Sequence, residues 1–160
     1  MFEIKDNNDV DFTQRPNPIP YNYRLSYKVS QICLILKLSV ARGGVSMTKI
    51  QMLASALLSD KESKRLVDLT NGFSWNYLVR YDPTVIRALK YGLFDGLIIQ
   101  QDNEKYRLSD KGKEFVRKIQ NDKTLMIREK EFLNTYSQKL TENVINMLMV
   151  QWRYDDVKNK

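Results

Sequence analysis

The stretch from Asp82 to Ile119 constrains the fold most, because its punctuation dictates a helix, a short hairpin and a second helix in that order. Asp82 can cap the free N–H groups of a first helical turn, and Pro83 suits the first helical position, where its missing N–H costs nothing. Val85, Ile86, Leu89 and Leu93 then recur at helical spacing, leaving Thr84, Arg87, Lys90 and Tyr91 on the opposite side. Asp95-Gly96 ends the helix, since glycine accepts the left-handed backbone that helix ends require. Leu97 to Gln100 and Tyr106 to Leu108 read as strands around the polar turn Asp102 to Lys105. Ser109 caps a further helix with Phe115, Val116 and Ile119 inward.

Ahead of this stretch the chain is mostly helical. From Arg24 to Val40 the residues Val29, Ile32, Cys33, Leu36 and Val40 keep helical spacing while Leu34, Ile35 and Leu38 fill the other sides, which predicts a helix buried nearly all round at the centre of the core, its contacts extended by Leu25 and Tyr27. Arg42-Gly43-Gly44 breaks it; the spacing of a phosphate loop is absent, so the glycines read as a turn. Ser46 caps a helix with Ile50, Leu53, Ala54 and Leu57 inward and Lys49 and Gln51 outward. Ser59 and Glu62 have capping-box spacing for another, which carries Leu66, Val67 and Leu69 inward. The run from Phe73 to Tyr81 is aromatic and partly alternating, a short strand or an aromatic connection.

The two ends differ from this middle. Residues 1–22 are acidic and hold Pro16, Pro18 and Pro20, whose alternation forbids a helix or central strand and predicts an extended arm. Asn121 to Trp152 is helical in pattern, as one helix or as two meeting near Lys139 to Thr141. Its stripe of Leu133, Tyr136, Leu140, Val144, Met147 and Leu148 either folds back over the core or packs on a second subunit. The expected organisation is an arm at 1–22, a compact domain at 23–122, a helical extension at 123–153 and a loose charged tail at 154–160.

The residue inventory narrows the chemistry. Histidine is absent, which removes the Ser-His and Cys-His nucleophile pairs, histidine-ligated metals and the commonest general base. A single cysteine, Cys33, allows no internal disulfide and fits a reducing cytoplasm. The acids sit at helix caps, in the hairpin turn or among lysines, without two facing carboxylates. The start of the chain has neither the basic opening nor the apolar core of a secretion signal, and no stretch is apolar enough for a membrane span. The expectation is therefore a cytoplasmic protein that is not an enzyme and uses no cofactor or metal.

The net charge of +7 points toward nucleic acid, yet its placement is uneven. Between Tyr23 and Ser59 there are five basic residues and no acidic one, whereas the helix after Asp82 is bracketed by acids. Arg24, Lys28, Arg42 and Lys49, with Thr84, Arg87 and Lys90 on that helix and Lys105 and Arg107 in the hairpin, are the candidate nucleic-acid contacts. Pro18, Ile19 and Tyr21 in the arm, Trp75 and Tyr77 in the aromatic run, and Tyr136, Leu140, Val144, Met147, Leu148 and Trp152 in the extension are the candidate partner contacts.

The order helix, Gly-Leu-Ile, polar turn, Tyr-Arg-Leu-Ser-x-x-Gly resembles the wing of bacterial winged-helix proteins. It implies a mainly α winged helix, a helical core plus a short β-hairpin wing, here with a C-terminal helical extension. Further, Tyr23 to Ile32, the Arg42 to Ser46 turn and Lys49 to Leu53, read on to the wing, resemble the small middle components of bacterial ABC three-component systems, such as those of Lamassu-type antiviral defence. The similarity runs from about Pro18 to Ile119. In that family the small subunit is not the enzyme. The resemblance implies an accessory subunit that scaffolds an ATPase related to the structural-maintenance-of-chromosomes (SMC) proteins and a separate effector, commonly a nuclease, with duplex DNA as a further contact of the assembly. The alternative is a stand-alone dimeric winged-helix regulator that binds operator DNA.

Overall fold

The computed structural model describes residues 19–21, 24–39 and 42–158. Among these there are seven helices and one two-stranded antiparallel hairpin. Helix α1 (Leu25–Leu38) is the axis: it packs against α2 (Met47–Ala56), α4 (Pro83–Phe94), α5 (Asp110–Asn121), α6 (Ile127–Tyr136) and strand β2 (Tyr106–Leu108). Val29 and Ile32 through Leu36 are all buried, as a helix apolar on every side must be. The expected contribution of Leu25 is not made, since its side chain is exposed at the first turn; Val40 lies outside the described residues.

Local signals set most helix starts. Ser46 Oγ accepts from Lys49 N at 3.2 Å, Ser59 Oγ from Glu62 N at 3.3 Å, Asp82 Oδ1 from Thr84 N at 2.8 Å, and Ser109 Oγ from Gly112 N at 3.0 Å. These open α2, α3 (Asp60–Thr70), α4 and α5. Of the capping box at Ser59, the Glu62 carboxylate takes no part: it pairs with Arg65 at 3.3 Å one turn on. Gly96, at φ +74°, ends the turn after α4 as expected.

Strand β1 (Ile98–Gln100) pairs with β2 in the register Ile98↔Leu108 and Gln100↔Tyr106. The Gly43-Gly44 turn does more than break α1. Val45 and Tyr106 exchange both backbone hydrogen bonds, at 2.8 and 2.9 Å, so the turn adds a third, one-residue rung to the hairpin. Gly44 sits at φ +84°, and a Cβ there would lie 3.1 Å from the Tyr106 carbonyl; glycine is required for this approach. Asn103 in the hairpin turn closes the contact by donating to the Gly43 carbonyl at 2.9 Å.

The C-terminal stripe folds back. Tyr27 on α1 donates to Glu129 on α6 at 2.5 Å, Ser137 donates to the Leu38 carbonyl at 2.9 Å, and Glu142 at the start of α7 (Glu142–Lys158) accepts from Ser46 N at 3.2 Å. Leu133, Leu140, Ile145 and Leu148 belong to the same buried cluster as α1. The helical run read from Asn121 is interrupted at its start, because the Asp122 carboxylate accepts from Thr124 N and Leu125 N and so turns the chain between α5 and α6. At the far end α7 runs on through Lys158, across residues expected to be a loose tail.

Two lysines lie inside this body. Lys28 is 1% and Lys49 4% exposed. Lys28 Nζ donates to Gln31 Oε1 at 3.3 Å and lies 4.0 Å from the Asp82 carboxylate. Burial pulls both ammonium groups below the ordinary lysine value, opposed by the nearby Asp82 and Glu142 carboxylates respectively. The unfolded chain therefore binds more protons than the folded one as pH approaches 10.5, so these lysines make stability rise with pH in that window. Cys33 and Tyr77, each held up to about 12 by burial, act with the opposite sign as pH rises past their ordinary values of 9.0 and 10.0, and so does Tyr27, which burial and the hydrogen bond to Glu129 hold up. We expect stability to climb with pH on the alkaline side, as the reference lysine stays charged, until the unfolded chain's Cys33 thiol begins to titrate near pH 9.0 and opposes it. Lys28→Met should flatten that climb in urea titrations, while an unchanged slope would place the charge in water.

Candidate nucleic-acid interface

The sequence-derived cationic candidates divide sharply. Lys28 and Lys49 are interior and present no charge to a ligand. Helix α2 is covered on both flanks, which is why Lys49 and Gln51, expected outward, point inward. Gln51 Oε1 accepts from Asp82 N at 3.0 Å and so fastens the start of α4. Thr84, expected on the reading face of α4, keeps its hydroxyl buried. Arg87 and Lys90 are exposed on α4, Lys105 is half-buried beside the Gly44 turn, and Arg24 is engaged with the Ile19 carbonyl at 3.2 Å.

Arg42 and Arg107 do come together, and they are joined by residues that periodicity did not single out. A depression of about 310 Å³ is lined by Lys37 at the end of α1, Arg42 in the turn, Arg107 on β2 and Lys113 on α5. It adjoins a second, of similar size, where Lys37 and Lys113 meet Arg117. All five cations are exposed. The acids nearby are Asp110, which pairs with Lys113 at 3.1 Å, and Glu114. Positive charge is left in excess on a concave, partly apolar floor that includes Leu36 and Val45. Such a surface suits successive phosphates of a backbone, and it offers no fixed pair of donors aimed at a base edge. Lys37 and Arg42 belong to the run of five cations without an acid between Tyr23 and Ser59; their meeting with α5 is a product of packing.

The other end of α1 is different in kind. Leu25, Val29, Tyr91, Leu97 and Phe115 line an apolar groove of about 540 Å³ between α1, α4 and α5. At the last position of α4, Phe94 is 92% exposed. The surface of α4 that sequence reading aligned for DNA thus passes from Arg87 and Lys90 to Tyr91 and Phe94 within two turns.

Comparison of the chain with protein-family models, with curated proteins and with solved structures finds no match. Among the described residues no three potential metal-ligating side chains cluster, and no helix is long and apolar enough to cross a membrane.

The candidate partner contacts also divide. Tyr77, Leu140 and Leu148 are buried and belong to the core, correcting their assignment to a partner surface. The Arg65 guanidinium lies over the Tyr77 ring, 5.8 Å from its centroid. Trp75, Val144 and Trp152 are half-buried against the core, and Tyr136 is half-buried against Phe132, ring centroids 5.0 Å apart. Ile19, Tyr21 and Met147 remain exposed, with Tyr21 edge-on to Tyr27 at 5.1 Å. Pro18 lies outside the described residues.

Proposed function

We propose that this chain is a non-enzymatic accessory subunit of an assembly built on an SMC-like ABC ATPase, of the kind used in Lamassu-type antiviral defence. In this reading it holds the ATPase and a nuclease-like effector together and lends the assembly a grip on duplex DNA. The helix, hairpin and helix from Pro83 to Asn121, with the turn at Val45 paired to the hairpin, agree with a winged-helix plan. That plan serves DNA and protein partners alike, so the surface chemistry must choose between them.

The observation that carries the choice is the outward face of α4. A helix that reads base edges presents polar and cationic groups along its length. Here the C-terminal half presents Tyr91 and the almost bare Phe94 beside an apolar groove, which is the composition of a protein contact. Positive charge gathers instead around Lys37, Arg42 and Arg107, where phosphates can be held without reading sequence.

Two measurements test this. Co-purification from the native host should recover an ATPase with long heptad segments; recovery of the chain alone would end the proposal. The purified chain should bind duplex DNA weakly and without sequence preference. Arg42→Glu with Arg107→Glu should lower that affinity and its salt slope by about two counterions, one per lost phosphate contact, whereas Arg87→Ala should matter little. A tight, sequence-selective complex lost in Arg87→Ala would identify an operator-binding regulator instead.

A further inference from the structure

Helix α7 is apolar on two sides. One side, with Ile145 and Leu148 buried and Val144, Met149 and Trp152 half-buried, lies on the core. The other carries Met147, Val150, Tyr154 and Val157, each between 49% and 75% exposed. Their spacing alternates three and four residues, which is the a/d pattern by which one helix receives another along a seam. In that register Ile145, Leu148, Met149 and Trp152 fall at positions f, b, c and f, away from the seam, and of the core-packed residues Val144 alone, at an e position ahead of Met147, borders it.

The flanking e and g positions are Val144, Asn146, Gln151, Arg153 and Lys158. Every charge there is positive, and among the described residues Arg153 and Lys158 make no ion pair. Asp155 and Asp156 fall at b and c, off the seam. A second copy of this chain would set Arg153 and Lys158 against the same cations, whether the helices ran parallel or antiparallel, because e and g positions meet only e and g positions across such an interface.

We infer that the Met147, Val150, Tyr154, Val157 face of α7 is a docking seam for an amphipathic heptad helix of a partner protein whose flanking positions are acidic. This rests on the reading that the chain works within an assembly, and it adds which face docks and what charge the partner brings. Leu or Ile knobs of the partner pack between the four apolar residues, and Glu side chains beside them meet Arg153 and Lys158.

The test uses the full chain and two fluorescent peptides of about four heptads, both with Leu at a and d, one with Glu and the other with Lys at e and g. At physiological salt the Glu peptide should bind and the Lys peptide should bind at least about tenfold more weakly, a margin of about 1.4 kcal/mol. Tyr154→Asp should weaken the Glu peptide by a similar factor with an unchanged melting temperature, and Arg153→Glu with Lys158→Glu should reverse the preference between peptides. Binding of neither peptide, equal binding of both, full binding by Tyr154→Asp, or a dimer of the chain that Tyr154→Asp dissolves would each overturn the seam. If the ATPase co-purifies equally with Tyr154→Asp, the seam is wrong and the accessory role stands. If the chain is solitary in its host yet prefers the Glu peptide, the accessory role falls and the seam stands.

Discussion

Leu140→Asp is expected to destabilise the protein by about 4 kcal/mol or more, the sum of a lost buried leucine and a carboxylate forced into an apolar interior. Leu140 is fully buried at the junction of α6 and α7, in the cluster that also holds Leu133, Ile145 and Leu148. Met147→Asp, seven residues on and 58% exposed, should change stability by no more than about 0.5 kcal/mol. Urea unfolding of the two variants beside the parent decides the point. Equal stabilities would mean that α7 does not rest on the core as described. The contrast matters for function too, because a loss of partner binding in Leu140→Asp would report unfolding, while the same loss in Met147→Asp would report a contact.

Gly112→Ala should be nearly as damaging, and for a reason that helix propensity predicts with the wrong sign. Alanine is favoured over glycine inside a helix by about 1 kcal/mol. At Gly112, however, a Cβ would stand 2.0 Å from the Leu97 carbonyl oxygen, 3.0 Å from its carbon and 3.1 Å from Leu108 Cδ2. Two of these three are backbone atoms at the base of the hairpin, so no side-chain rotation relieves the overlap. The first turn of α5 would have to move off β1 and β2, at a net cost of about 3 kcal/mol. Gly72→Ala provides the control: nothing lies within 4 Å of its Cβ position, and only the left-handed φ of +74° is penalised, by about 1 kcal/mol. A thermal melt of Gly112→Ala at or above that of Gly72→Ala would show that α5 does not seat against the hairpin this closely.

Gly112 also marks how far local reading reaches. Ser109 could be read as the cap of α5, because a cap is a relation between a side chain and the backbone N–H groups that follow it. The same holds for Ser46, Ser59 and Asp82, whose cap bonds all form within three residues. That Gly112 must be glycine was not legible, since the obstacle is Leu97, fifteen residues earlier in the chain. Gln51 misled for the same reason. Its polarity said outward, and its partner is the backbone of Asp82, thirty-one residues away. The candidate interfaces followed this division: Arg42 and Arg107 were picked singly for charge, while the depression that unites them with Lys37 and Lys113 takes its walls from α1, the turn, β2 and α5.

What the sequence determined by itself is the succession of helices, the hairpin and a central apolar helix, because caps, glycine turns and hydrophobic spacing act within a few residues of themselves. Only the tertiary structure decided which polar side chains are interior, which of two apolar faces of α7 is spent on the core, and where the cations meet. Those outcomes depend on burial, which belongs to the arrangement of elements in space and has no counterpart in the order of residues along the chain.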